Sequence, residues 1–175
     1  MSLTGKQFAD AFDFTRSAFR FEVQPVYAIG PERADYQRFL AGSPVPPPDC
    51  DWLRPWLDRL ALWAREGKTV SRVRVLEEPP TDYQRWLLWG APWMTGEDTR
   101  YMNRSIAREV SGLPLACDWW LLDDVRVIEM RFTRLGKIRS RTLVTDAEAV
   151  AAYCGWRDIA VSNSTTAERV ATVRS

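Results

Sequence analysis

The run Cys117-Asp118-Trp119-Trp120-Leu121-Leu122-Asp123-Asp124 leads into Val125-Arg126-Val127-Ile128-Glu129-Met130-Arg131-Phe132-Thr133. Arg134-Leu135-Gly136-Lys137 follows, then Ile138-Arg139-Ser140-Arg141-Thr142-Leu143-Val144. β-branched and aromatic residues dominate the three runs, and Asp-Asp and a Gly-containing tetrad punctuate them. The reading is three consecutive strands, with the rest of the chain packed around them.

Upstream, Thr4-Gly5-Lys6-Gln7 fits a capping box ahead of a short helix carrying Phe8, Ala11 and Phe12. Residues 17–23 alternate, with Phe19, Phe21 and Val23 on one face and Arg20 and Glu22 on the other. That pattern predicts a half-buried strand closed by Pro25. Pro31 suits the first position of a helix over 32–41 that ends at Gly42. Residues 43–49 hold four prolines and read as a stiff connector. Asp49 and Asp51 are candidate caps for a helix over 52–66, whose Trp52, Trp56, Leu60 and Trp63 share a stripe.

Residues 69–76 read as a strand with Val73 and Val75 on one face and Arg72 and Arg74 on the other. Thr81-Asp82-Tyr83-Gln84 is a second capping box, opening a helix to Trp89, and a short strand follows at 99–103. Residues 104–115 read as irregular. Thr145-Asp146-Ala147-Glu148 is a third capping box, starting a closing helix to about 161.

The expected fold class is α/β, with α+β as the alternative. It is a single mixed sheet with a C-terminal antiparallel hairpin, packed by about four to five helices. One domain is expected over 1–161: an N-terminal helical and strand part (1–42), the Pro-rich connector (43–49) and an α/β core (50–161). Residues 162–175 form a frayed tail.

Composition excludes several chemistries. The chain has 175 residues and a formal charge of +1, which argues against a wholly basic nucleic-acid coat. It has no histidine, so Ser/His/Asp and Cys/His nucleophile arrangements and histidine metal sites are absent. Its three scattered cysteines form no Cys-x-x-Cys pair and read as reduced thiols. No metal site and no cofactor are expected, and phosphate-binding glycine loops are missing. The first residues lack the apolar core of a signal peptide and no run reaches membrane-spanning length, so a cytoplasmic protein is expected.

Three constellations are candidates for function. Between Arg126 and Arg141 lie six basic residues and one acid. Arg131, Lys137, Arg139 and Arg141, joined by Arg72 and Arg74, would form a basic face able to meet phosphates; a solvated sheet face is the plain alternative. Asp118, Asp123 and Asp124 with Asp98 and Glu97 form an acidic set able to bind a divalent cation or serve as acid and base, with turn composition as the plain alternative. Alternation sends Asp123 and Asp124 to opposite faces unless the bend reorients them. Asp82, Tyr83, Arg85 and Trp86, with Trp89, Trp93 and Arg100, would offer a cation on an aromatic bed; helix packing with a solvent-facing Arg is the alternative.

The string from Arg72 to Arg85, the Gly96-Glu97-Asp98-x-Arg100 segment, Asp118 to Asp124 and Tyr153-x-x-Trp156-Arg157-Asp158 resemble one family. It is an actinobacterial family of unknown function, often encoded beside helix-turn-helix regulators. The matching blocks run from about 14 to 160. The loop over 90–95 and the histidine-free hairpin depart from that family's pattern. The order of elements is also similar to half of a phospholipase-D-like fold, whose catalytic members use a His-x-Lys motif that this chain lacks.

The resemblance implies a regulatory context. The leading expectation is a non-enzymatic regulatory or accessory protein. It would bind a protein partner, such as a helix-turn-helix regulator, or a small effector, through the aromatic side around Tyr83, Trp86, Trp89, Trp93, Trp119 and Trp120. Nucleic-acid binding through the hairpin is one alternative. An enzyme of small-molecule or phosphate-ester metabolism, using Asp123 or Asp124, Glu97, Tyr83 and Arg85, is the other.

Overall fold

A computed structural model describes residues 3–28, 30–110 and 112–172. It contains one mixed sheet of seven strands: β1 (Ser17–Glu22), β2 (Thr69–Leu76), β3 (Asp98–Asn103), β4 (Asp118–Leu122), β5 (Arg126–Phe132), β6 (Ile138–Val144) and β7 (Thr165–Thr166). Their order across the sheet is β6-β5-β4-β1-β2-β3-β7. β1, β2 and β3 run parallel, while β4, β5 and β6 form an antiparallel meander beside β1. The three strands expected over 117–144 are therefore present, but they form one flank of the sheet. β1 holds the centre, at the junction of the parallel and antiparallel parts.

Seven α-helices accompany the sheet among the described residues: α1 (Gly5–Ala11), α2 (Arg33–Leu40), α3 (Arg54–Arg65), α4 (Asp82–Gly90), α5 (Arg104–Glu109), α6 (Ala147–Ser162) and α7 (Ala167–Thr172). The capping boxes at Thr4 and Thr81 form as expected. The closing helix is capped by Asp146, whose Oδ1 accepts from Ala149 N at 2.9 Å, one residue beyond the expected Thr145. Neither Asp49 nor Asp51 caps α3. The N-cap residue is Leu53, which makes no side-chain cap bond, and Pro55 in the first turn has no N–H to satisfy.

Two further expectations are corrected. Residues 104–109 form α5, a single turn and a half that buries Ala107, too short to show a helical period. The expected frayed tail is structured through 172, while 173–175 lie outside the described residues. β7 pairs antiparallel with β3, and Arg100 fixes it by donating to Ser164 Oγ at 2.9 Å and to Ser164 O at 3.0 Å.

Helices cover both faces. On one face Phe19, Phe21 and Val23 pack with Val73, Val75, Met102, Trp119, Leu121 and Val127 under α5 and α6. Phe21 and Trp119 are fully buried, each contributing about 1.5–3 kcal/mol of transfer free energy. On the other face Ala18, Val70, Trp120, Leu122, Ile128 and Met130 pack against Leu60 of α3 and Phe14. A separate aromatic group, Tyr27, Tyr83 and Trp86, lies under α2 and α4. Consequently β1 is not half-exposed. Parallel strands carry helices on both sides, so the polar face of β1 and β2 is enclosed as well.

An arginine-floored aromatic cavity

Between those last two apolar groups the second face is charged. Arg20 of β1 stands opposite Arg72 of β2, and Glu22 opposite Arg74. Side chains two apart on a strand share a face, so the four form a square on the sheet. Arg72 Nη1 donates to Glu22 Oε1 at 2.7 Å, and Arg74 Nε donates to Glu22 Oε2. Arg20 Nε lies 2.9 Å from Glu22 Oε1. Arg72 Nε also donates to Glu97, whose side chain is sealed from solvent.

Burial alone would raise the Glu22 pKa. The guanidinium charges of Arg20, Arg72 and Arg74 outweigh it and hold the carboxyl well below the usual range. Burial alone would lower Arg20 and Arg74, yet Glu22 above all drives both higher.

Asp118 sits at the edge of this square, with no exposed surface. It accepts from Val23 N at 2.8 Å, from the Tyr27 hydroxyl and from Arg20 Nη2 at 3.5 Å. Burial pushes its carboxyl up to about 6 despite these donors. Glu32 accepts from the Tyr83 hydroxyl at 2.7 Å, and burial pushes it up to about 7.

Above the square is a cavity of about 670 Å³. α1, α3, α4, the segment after β1 and the β5–β6 hairpin enclose it. Its walls include Tyr27, Trp52, Trp56, Tyr83, Trp86, Trp120 and Phe132. The rings meet largely edge to face, as Tyr83 and Trp86 do with centroids 5.7 Å apart. Trp120 also lies 5.3 Å from the Arg20 guanidinium and 5.9 Å from that of Arg72, within cation–π range. Asp35 of α2 accepts from Trp52 Nε1 at 2.9 Å and fixes that indole.

The structure brings some expected site residues here and disperses the others. Tyr83, Trp86, Arg72 and Arg74 line the cavity, and Arg141 reaches it with its guanidinium 5.0 Å from the Phe8 ring. Glu97 and Asp118 hold Arg72 and Arg20 from outside the lining. Asp82 pairs with Arg85 on the outside of α4. Trp89 stacks with Trp93 at 5.1 Å, and neither lines the cavity. Trp119 is on the opposite face, against Phe19, Phe21 and Tyr153. The expected aromatic surface is thus divided between a core and a cavity.

The two aspartates of the first bend have structural partners. Both adopt positive φ, 53° at Asp123 and 60° at Asp124, the turn chemistry for which Asp is suited. Asp123 turns back to accept from Thr15 N at 2.7 Å, Arg16 N at 2.7 Å and Ser17 N at 2.9 Å. Burial opposes its ionisation, but these N–H donors hold the carboxyl down to about 2. Asp124 pairs with Arg157 of α6. Asp123, Asp124, Glu97, Tyr83 and Arg85 therefore do not converge on a common pocket.

The basic face also fails to assemble. A bulge at Arg131/Phe132 breaks the alternation of the hairpin. Arg131 pairs across from Ser140, whereas Arg141 pairs across from Met130 and turns to the cavity face. Lys137 and Arg139 are exposed near the hairpin end. Arg72 and Arg74 are buried in the ion-pair square rather than set beside Arg131. Among the described residues, no group of three or more His, Cys, Asp or Glu side chains is placed to hold a metal ion.

Sequence reasoning missed Arg20, Glu22, Tyr27, Glu32, Trp52 and Trp56 as site residues. The signal was the matched alternation Arg20-x-Glu22 and Arg72-x-Arg74, on strands joined to each other through helices. Such strands are parallel neighbours, so neither face is left to water.

A family model described as a domain of unknown function (DUF6879) matches residues 6–171. No curated protein matches the chain. Among the described residues, no helix is long and apolar enough to cross a membrane.

Proposed function

The chain belongs to the DUF6879 family of domains of unknown function, and we propose that it is a non-enzymatic, cytoplasmic regulatory or accessory protein that binds a small effector in the cavity over β1 and β2. The observation that carries this reading is the cavity itself. Its volume of about 670 Å³ falls within the range of small-molecule sites, and it combines aromatic walls with a few convergent polar groups.

The ion-pair square gives the floor rigidity before any ligand arrives. Each arginine is held by a carboxylate beside it, so little side-chain entropy remains to be lost on binding. A protein partner, such as a helix-turn-helix regulator, fits this reading as the recipient of the signal. The hairpin tip and the segment around Tyr27 form part of the cavity rim, so occupancy would be felt at the surface there.

The test is thermal unfolding in a deproteinised metabolite extract of the source cell. An effector that binds only the folded chain raises the midpoint by mass action. The expected result is a raised midpoint for the natural chain and none for Ala28→Trp, which plugs the rim from an exposed position. Equal behaviour of the two proteins would contradict the reading.

A further inference from the structure

We infer that the effector is a heteroaromatic phosphate of mononucleotide size, its phosphate held by Arg20, Arg72 and Arg74 and its ring held between the aromatic walls. This rests on the effector-binding reading of the same cavity. It adds the chemical class of the ligand.

The arginines are only partly used by the protein. Arg74 commits Nε to Glu22 and neither Nη. Arg72 commits Nε and Nη1 to Glu97 and Glu22, leaving Nη2. Arg20 gives Nη2 to Asp118, while its Nε, 2.9 Å from Glu22 Oε1, makes no hydrogen bond and Nη1 is left. All three line the cavity, and Arg72 is only 6% exposed. These remaining Nη groups make no hydrogen bond within the chain and are open to the cavity, so they are free to donate to an oxyanion.

The carboxylates do not cancel this. Glu97 and Asp118 hold Arg72 and Arg20 from outside the cavity lining, which contains five arginines against two glutamates, a formal +3. Arg59 and Arg141 add charge higher on the walls. Three guanidinium groups from two adjacent strands present donors from several directions. That suits the three terminal oxygens of a phosphate better than the two of a planar carboxylate.

The rest of the cavity suits a nucleobase. Glu32 spends Oε1 on Tyr83, while Oε2 makes no hydrogen bond and is not sealed from the cavity. It is an acceptor for a ring N–H or exocyclic amine beside stacked rings. One carboxylate acceptor and three guanidinium donors in a single aromatic cavity match the mixed polarity of a nucleotide.

The experiment is calorimetric titration of the full chain with AMP, GMP, CMP and UMP, their parent nucleosides, inorganic phosphate and benzoate. At least one monophosphate is expected to bind, with its nucleoside and benzoate weaker by about tenfold or more. Arg74→Gln should lose that preference and Arg74→Lys should regain part of it, because charge is restored without the fork. The Lys variant also keeps the test valid if the Gln variant fails to fold.

Absence of binding by all four monophosphates overturns the inference. So does equal binding of nucleotide and nucleoside, or of benzoate and nucleotide. If the rim-sensitive shift in metabolite extract persists in any of these cases, only the ligand class falls. If that shift is absent too, the effector reading falls with it.

Discussion

Asp118 and Glu32 show how burial sets the behaviour of single residues. Each carboxyl is easier to protonate in the folded chain than in the unfolded one, at about 6 and about 7 respectively. The native state therefore binds more protons between roughly pH 4 and pH 7. This contribution to stability is complete below about pH 4 and is lost as pH rises through the folded values. Asp123 has the opposite sign: its contribution is present above about pH 4 and fades as pH falls toward about 2. Chemical denaturation of Glu32→Gln should show a flatter fall in stability from about pH 5 to about pH 7 than the natural chain; an unchanged slope would count against the assignment. Residue by residue, the sequence disclosed the wrong charges. Asp123-Asp124 drew notice as an adjacent pair, yet each is spent on holding a neighbour. Arg20 and Glu22 passed as a solvated face, because alternation tells which residues share a face and not what covers it.

At the scale of elements, the β5–β6 hairpin shapes the cavity through its tip. Gly136 has φ 76° and its carbonyl accepts from Ala28 N at 3.1 Å. A Cβ at this position would stand 2.4 Å from Val26 O and 2.6 Å from Tyr27 Cα. Gly136→Ala therefore adds left-handed strain to a backbone clash. It is expected to destabilise the fold by about 2–4 kcal/mol, measured by denaturant midpoint at constant slope. A loss below about 0.5 kcal/mol, typical of surface sites, would refute this view of the rim. Elements with strong local signals were legible: the capping boxes at Thr4 and Thr81 form, and each predicted strand is present. α5 and β7 were not. Both are short, and β7 exists because Arg100 and the free edge of β3 give it a partner distant in sequence. The expected basic face failed on register, since Arg141 stands across from Met130, one residue away from Arg131 and so on the opposite face, while Arg72 and Arg74 are spent on Glu22.

For the whole molecule, the α/β class was readable, while the position of the site was not. The stretch from 117 to 144 reads as the spine, but the functional claim moved to β1 and β2, where the parallel and antiparallel parts meet. The cavity there stands over the face of the sheet, between the ion pairs of β1 and β2 and the elements that cover them. It is walled by tryptophans that, in sequence, resemble ordinary helix packing. Trp52, Trp56 and Trp86 serve both roles, and spacing alone does not separate them. The central claim, an effector-filled cavity, is tested most directly by native mass spectrometry of the protein purified from its own cell, beside Ala28→Trp. The natural chain should carry a small-molecule mass that denaturation releases, and the plugged variant should fly bare. Identical spectra from the two proteins would contradict the account.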